Sequence, residues 1–118
     1  MSVSDGTNMT KIDSFQIKGA SGSKYAFDVY WRGVKFNAVG AVYAMVKRTE
    51  RLGAAAWYEF VYIGETGDLS SRFDNHHKDA CFDRKGADCI GIHREDNAGS
   101  RLVKEEDILK AHQWPCND

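Results

Sequence analysis

Residues 61–73, VYIGETGDLSSRF, constrain the fold of this chain more than any other stretch. They begin as an apolar strand, pass through a polar turn with two glycines, and continue with the spacing of a helix. The strand carries Tyr62 and the helix carries Arg72. Both polar groups are costly to bury unless each has a partner. The stretch therefore predicts a strand–turn–helix unit that holds a polar site.

The chain as a whole is long enough for one domain. It has 118 residues, of which 42% are hydrophobic and 28% charged, as is typical of a soluble globular protein. We expect a poorly ordered tail over 1–13 and a single domain over 14–118, divided into an N-terminal hairpin at 14–39 and a core at 40–118. The formal net charge of -1 does not indicate a nucleic-acid binder, although a local basic patch is compatible with it.

The three cysteines, Cys81, Cys89 and Cys116, form no C-x-x-C pair. Their odd number, and a polar start without an apolar signal segment, favour free thiols in a reducing compartment. No apolar run approaches the length of about 18 residues that a membrane-spanning helix needs. We therefore expect a cytoplasmic protein with no membrane partner.

The hydrophobic pattern predicts a hairpin that turns at GASGS, followed by three strands and two principal helices. The strands are expected at 41–47, 58–64 and 89–95, and the helices from about 69 and at about 101–113. Asp68 is the expected N-cap of the first helix and Ser100 that of the last. The resulting fold class is α+β, a mixed α/β sandwich with a small central sheet of about three strands flanked by helices, plus the N-terminal hairpin.

Helical spacing selects two polar residues of the first helix that face the interior. At about 100° per residue, Arg72 and His76 share the arc of Leu69 and Phe73, which must face the core. As an i, i+4 pair, Arg72 and His76 can act on one object. An arginine at the edge of the apolar stripe and a hydrogen-bonded core histidine explain the pattern equally well.

Glu105 falls near the middle of an apolar arc of the last predicted helix. The other members of that arc are Leu102, Ile108, Leu109 and His112. Glu106 lies at the rim, where it is expected to form an exposed pair with Lys110. A buried carboxylate needs a cation, so we expect Glu105 to meet an arginine or a metal ion. A structural salt bridge between Glu105 and Arg72 would meet this need without catalysis.

Six elements in order resemble the GIY-YIG nuclease superfamily over about residues 40–118. The first signature strand is present as Ala41-Val42-Tyr43, with alanine in place of the first glycine, and the second is a literal Tyr62-Ile63-Gly64. The later elements of the resemblance are centred on Arg72, His76, Glu105 and Asn117. These include the three residues that helical spacing places toward the interior.

The resemblance implies a metal-dependent endonuclease, a hydrolase that cleaves phosphodiester bonds of DNA with Mg²⁺ or Mn²⁺. It implies that Glu105 binds the metal, which suits an ion that keeps most of its waters. It also implies that Tyr43 is the general base for the attacking water. Arg72 would donate to the non-bridging phosphate oxygens through its planar fork of N–H groups.

The same resemblance assigns roles to the remaining site residues. Tyr62 would orient the water or the phosphate, and His76 would contact the phosphate or assist proton transfer. Asn117 would hydrogen-bond within the site and hold the chain terminus, while Gly64 is structural. Ordinary alternatives are strand aromatics for the tyrosines and a turn residue for Asn117.

Family members with known roles usually carry an additional DNA-binding module, which this chain is expected to lack. The alternative function is therefore a non-catalytic nucleic-acid- or protein-binding module that retains the fold. A nuclease that needs a homo-oligomer or a targeting protein is a further alternative, with Tyr30 and Trp31 of the hairpin as aromatics that could contact it. A hairpin face packed on the core explains these two aromatics equally well.

Basic residues near the predicted site include Lys47, Arg48 and Lys78. They are expected to face DNA phosphates, although surface Lys and Arg more often serve only solvation. A zinc site is not favoured, because the possible ligands have irregular spacing. Those ligands are His76, His77, Cys81 and Cys89.

Overall fold

The computed structural model describes residues 11–117, which form one curled antiparallel sheet with helices packed on both faces. The strands are β1 (Asp13–Lys18), β2 (Lys24–Trp31), β3 (Ala41–Arg51), β4 (Ala54–Thr66) and β5 (Cys89–Arg94). The helices are α1 (Leu69–Arg72), α2 (Asp79–Lys85) and α3 (Ala98–Ala111). Residues 1–10 of the expected tail lie outside the described residues, and β1 begins at Asp13.

The five strands lie in the order β1-β2-β5-β3-β4, and each pairs antiparallel with its neighbour. The expectation of a three-stranded α+β sandwich with a separate hairpin is therefore wrong. The reason is that β2 pairs with β5, from Asp28 opposite Ile92 to Trp31 opposite Cys89. This pairing buries the apolar alternation of the hairpin in the common core, where Phe27 is fully buried.

The hairpin of β3 and β4 is longer than the sequence pattern predicts. Residues 48–57 are not a connector, because they continue both strands to a turn at Gly53, whose φ is +72°. β5 pairs with β3 only as far as Val46. Residues 47–60 therefore project beyond the neighbouring strand as a two-stranded ribbon, which we call the arm.

Each face of the sheet carries its own apolar core. The site face is covered by α1 and α2, and its buried residues include Tyr30, Tyr43, Met45, Tyr62, Leu69, Phe82 and Ile90. The α3 face is covered by α3, and its buried residues include Phe27, Val42, Ala44, Ile63, Ile108 and Trp114. Of the two alternatives for Tyr30, the structure shows packing on the core, where its ring lies edge-on to that of Phe36 at a centroid distance of 5.4 Å. Trp31, by contrast, is exposed.

The first helix is a single turn. Asp68 caps it as predicted, since its carboxylate accepts from the main-chain N–H of Ser70 at 2.9 Å. The helix does not continue to His76 as the spacing predicts, because the chain turns at Asn75 with φ of +55°. His76 is buried nonetheless, carried inward by that turn and not by a helical face.

The last helix begins three residues earlier than predicted. Asn97 caps it by accepting from the N–H of Ser100 at 2.8 Å, so Ser100 itself lies within the first turn. Its buried residues are Arg101 and Ile108, whereas Leu102 and Leu109 face solvent. The predicted buried arc was centred too close to these leucines. Apolar spacing alone does not reveal that an arginine occupies the buried face.

A disulfide joins Cys81 in α2 to Cys116 in the C-terminal turn. The expectation of free thiols is wrong for these two cysteines, and only Cys89 among the described cysteines is free. Both partners are brought over β4, where the N–H of Cys116 donates to the carbonyl of Val61 at 3.0 Å. Within residues 11–117, no helix combines the length and the apolar character needed to span a membrane.

Candidate active site

The site is centred on Tyr43, near the start of β3, whose side chain is fully buried. Gly64 lies directly opposite it on β4. A Cβ at Gly64 would come within 2.6 Å of the Tyr43 Oη and 2.8 Å of the Tyr62 Cε2. Glycine is therefore required here so that both tyrosine rings can cover the backbone of the edge strand.

Two N–H groups converge on the hydroxyl oxygen of Tyr43. Arg72 Nε donates to it at 2.9 Å, and His76 Nε2 lies 2.8 Å from it. The main-chain N–H of Lys78 donates to His76 Nδ1 at 3.0 Å, so that nitrogen carries no proton in the neutral ring. The ring proton is then on Nε2, which donates to Tyr43. A phenol oxygen that accepts two N–H bonds is arranged to stabilise negative charge.

The pKa values of this cluster keep it uncharged, apart from the arginine, at neutral pH. Burial raises the pKa of Tyr43 well above its usual value, with Tyr62 adding to the increase and Arg72 opposing it. Burial also lowers the pKa of His76 to about 4, and the nearby Arg72 charge contributes to that decrease. Both shifts leave a neutral tyrosine and a neutral histidine beside a fixed positive charge.

Glu105 is half-buried on α3, and so less deeply placed than the helical spacing predicts, because Leu102 and Leu109 of the predicted arc face solvent. Its carboxylate makes no hydrogen bond or ion pair with any of residues 11–117. Burial raises its pKa, nearby Glu65 and Glu106 add to the increase, and Arg72 opposes it. The structural salt bridge between Glu105 and Arg72 is not formed, since Arg72 directs Nε at Tyr43.

Sequence reasoning missed Arg101, a buried arginine one helical turn before Glu105. Its Nε donates to Glu65 Oε1 at 2.8 Å, and its Nη1 donates to the carbonyls of Glu95 and Asp96. Arg101 thus fixes the loop before α3 and also Glu65, whose charge contributes to the raised pKa of Glu105. No local sequence pattern signals this burial, because the acceptors of Arg101 come from β4 and from the loop before α3.

Asn117 lies at the edge of the site and acts on the backbone. Its Oδ1 accepts from the N–H of Ile63, and its Nδ2 donates to the carbonyl of Ile63, both at 2.8 Å. This pair fills the open hydrogen-bonding positions of the edge strand beside Tyr62. Asn117 therefore holds the C-terminal turn against β4, as the resemblance implies.

The three expected phosphate-facing residues differ in their surroundings. Lys47 is exposed and makes no hydrogen bond or ion pair with residues 11–117. The Arg48 side chain is only 14% exposed and is engaged by Tyr58 at 3.0 Å and Glu50 at 3.3 Å. Lys78 holds His76 through its main-chain N–H.

The chain offers few protein ligands for a metal ion. Within the described part of the chain, no three His, Cys, Asp or Glu side chains are grouped to hold one. A zinc set that includes Cys81 is ruled out by its disulfide. An unpaired, half-buried carboxylate such as Glu105 fits Mg²⁺ or Mn²⁺, which bind through one or two carboxylates and otherwise keep their waters.

The chain was compared with protein-family models, curated proteins and solved structures. No family model, curated protein or solved structure matches it. The resemblance to the GIY-YIG superfamily therefore depends on the motifs and on the arrangement of the residues that carry them.

Proposed function

We propose that the protein is a metal-dependent endonuclease that hydrolyses phosphodiester bonds of DNA at a GIY-YIG-like site. The observation that carries this proposal is the Tyr43 hydroxyl held between Arg72 and His76, with the unpaired carboxylate of Glu105 under the influence of the same arginine. Residues from β3, α1, the turn after α1, and α3 contribute to this one environment. A core that needed only stability would not retain an unpaired half-buried carboxylate.

Glu105 would hold Mg²⁺ or Mn²⁺, and the remaining ligands would be water and a phosphate oxygen. The bound ion would supply the positive charge that stabilises the reacting phosphate and the leaving oxygen. Arg101 holds Glu65 in place by an ion pair, so that Glu65 is a fixed negative charge near Glu105.

Tyr43 would accept a proton from the attacking water, whose oxygen forms the new bond to phosphorus while the bond to the leaving oxygen breaks. The two N–H donors on its oxygen favour the phenolate that this role requires. Burial opposes the phenolate, so we expect the cleavage rate to increase with pH over the range in which Tyr43 ionises.

Arg72 serves Tyr43 and phosphate with different nitrogen atoms. Its Nε is committed to the Tyr43 oxygen, and its guanidinium also interacts with Tyr62. The terminal amino groups of the fork are the donors left for non-bridging phosphate oxygens. Lysine would lack this separation, because its three N–H donors share one nitrogen atom.

A cleavage assay tests the proposal. Supercoiled plasmid, linear duplex, branched DNA and single strands would each be incubated with Mg²⁺ or Mn²⁺. We expect the wild type to cut at least one substrate, and Tyr43→Phe and Glu105→Ala to lose at least about 100-fold in rate. Tyr25→Phe is the matched control, since its hydroxyl donates to Asp107 on the α3 face, away from Tyr43. Wild-type rates in Tyr43→Phe would refute the mechanism.

A non-catalytic nucleic-acid-binding module is the second candidate. The burial of Tyr43 favours it, because the raised pKa disfavours the base form. DNA binding without turnover on any substrate would support this module. A nuclease that cuts only as a homo-oligomer or together with a targeting protein is a further alternative.

A cytoplasmic location also remains a proposal. A DNA substrate favours it, whereas the bond between Cys81 and Cys116 is typical of an oxidising compartment. Acid quenching of intact cells, followed by alkylation of free thiols under denaturing conditions, separates the two cases, because Cys89 and Cys116 are fully buried in the folded chain. Alkylation of all three cysteines supports the cytoplasm, and alkylation of Cys89 alone contradicts it.

A further inference from the structure

The arm carries an exposed aromatic residue on the same face of the sheet as Tyr43. Along β3, Tyr43, Met45, Lys47 and Thr49 alternate onto the site face. Trp57 is the cross-strand partner of Thr49, so it shares that face. The arm thus extends the site face beyond the sheet and ends at Trp57.

Trp57 is not part of the core. It is 56% exposed, and the Arg51 guanidinium lies over its ring at 5.9 Å from the centroid. The Arg51 Nε donates to the carbonyl of Ala55, which fixes the guanidinium at the tip of the arm. An indole of this kind, oriented by an arginine and open to solvent, is suited to stacking.

Two unpaired lysines lie at the base of the arm on this face. Lys47 reaches past the end of α2, where its Nζ would be 3.9 Å from a Cβ at Gly86. Lys85 precedes that glycine, and helical spacing places it on the same flank of α2 as Cys81, which is bonded across β4. Neither lysine forms a hydrogen bond or ion pair with residues 11–117.

Acidic residues nearby do not cancel this charge. Asp79 and Asp83 lie on the opposite flank of α2 and both pair with Arg32. Two acids lie beside Lys47: Glu59, its cross-strand partner, and Asp88, whose Oδ1 accepts from the N–H of Arg48. The strip has three cations against these two acids. Lys47, Arg51 and Lys85 therefore leave a net positive strip that ends in the exposed indole of Trp57.

We propose that this strip binds an unpaired strand of the substrate, with Trp57 stacked on a base and Lys47, Arg51 and Lys85 on phosphates. Charge complementarity favours nucleic acid, and the open indole favours a base that is not already stacked within a duplex. The strip begins beside the site, since Phe82 of α2 packs against Tyr62 at a ring distance of 5.3 Å. This inference depends on the proposed function and adds to it a preference for DNA with a single-stranded flank.

The test measures binding and not cleavage. Fluorescence anisotropy with a labelled single-stranded DNA and the matching duplex, in EDTA, gives Kd for the wild type, Trp57→Ala and Trp31→Ala. Trp31 is the matched control, an exposed indole beneath Arg48 on the opposite face. We expect Trp57→Ala to weaken single-strand binding by about 5- to 100-fold and Trp31→Ala by less than about 2-fold.

A second set of variants tests the phosphate contacts. The double variant Lys47→Gln/Lys85→Gln should reduce the slope of log K against log salt by about 1.4, because each single-strand contact contributes about 0.7. Glu59→Gln should tighten binding. Circular dichroism verifies that each variant is folded.

Equal Kd values for Trp57→Ala and Trp31→Ala would overturn the proposal, as would an unchanged salt slope in the double variant. Tighter duplex than single-strand binding, with Trp57→Ala affecting both equally, would also overturn it. Since no metal is present, a failure of binding at the arm is distinct from a failure of cleavage. If the wild type cuts DNA and Trp57→Ala has the wild-type Kd for single-stranded DNA, only the proposal for the arm is refuted.

Discussion

At the scale of single residues, the proposed chemistry depends on how the fold surrounds the hydroxyl of Tyr43. Its oxygen accepts from Arg72 and from His76, and the tautomer of His76 is set by the amide of Lys78. The main chain therefore decides which nitrogen faces the tyrosine. This places a two-donor environment around an oxygen that burial alone would keep protonated.

Stability should depend on pH through His76. The unfolded chain binds a proton at His76 below pH 6.5, whereas the folded protein does so only below about 4. Wild-type stability should therefore fall as the pH decreases from 6.5 to 4, by up to about 3 kcal/mol from this residue. His76→Gln should lack this part of the decrease in urea unfolding.

The neighbouring His77 supplies the control for that experiment, because it is exposed. His77→Gln should retain most of the wild-type dependence of the unfolding free energy on pH, because burial and Arg72 lower the pKa of His76 more than His77 does. If His76→Gln and the wild type lose the same free energy between pH 6.5 and 4, His76 is not held neutral in the fold.

Sequence spacing anticipated the burial of His76 for the wrong reason, and it placed Glu105 deeper than the half-buried position that the structure shows. The helix that was expected to bring His76 inward ends at Arg72, and a left-handed residue at Asn75 turns the chain instead. Such a turn has no periodic signature. Arg101 was missed for a related reason: its burial depends on acceptors from other elements, which no local pattern reveals.

At the scale of the elements, the close approach of β3 and β4 depends on Gly64. Gly64→Ala would place a methyl group against the buried rings of Tyr43 and Tyr62, neither of which can swing away. We expect a loss of about 1–3 kcal/mol in unfolding free energy and at least a 10-fold loss in cleavage rate. Gly99→Ala is the control, since its Cβ would meet only Asn97 Oδ1, at 3.3 Å.

The two measurements separate structural from chemical damage at Gly64. Urea unfolding reports the strain, and cleavage at a temperature where both variants are folded reports the displacement of the tyrosines. Wild-type stability and rate in Gly64→Ala would mean that the rings do not cover the strand as described.

The disulfide ties α2 and the C-terminal turn together over β4. Its partners are 35 residues apart, so closing this loop should stabilise the fold by about 2–4 kcal/mol. Reductant should lower the urea midpoint of the wild type accordingly. The variant Cys81→Ser/Cys116→Ser should start at the lower midpoint and not respond to reductant. An identical wild-type midpoint with and without reductant would show that the bond does not form.

Strand lengths were the least predictable property of the elements. The expected end of β3 near Lys47 follows from the loss of apolar residues, but the strand continues to Arg51 because β4 supplies the hydrogen-bonding partner. Exposed ribbons of this kind have polar faces on both sides, so hydrophobic period gives no signal. The arm was therefore visible only in three dimensions.

At the scale of the whole molecule, one continuous sheet connects the hairpin to the site. β5 lies between β2 and β3, so the N-terminal hairpin and the strand that carries Tyr43 share a single hydrogen-bonded framework. This order could not be read from the sequence, because it depends on pairing between strands about 60 residues apart, such as Val29 with Gly91. The site face and the arm are two parts of that framework.

The most direct test of the central claim compares two adjacent glutamates. Glu105 is half-buried and unpaired, whereas Glu106 is exposed and lies 3.9 Å from Lys110. Cleavage of DNA would be measured against Mg²⁺ concentration for the wild type, Glu105→Gln and Glu106→Gln. We predict that Glu105→Gln abolishes metal-stimulated cleavage while Glu106→Gln cuts like the wild type. Equal cleavage by the two variants would contradict the assignment of Glu105 as the metal ligand.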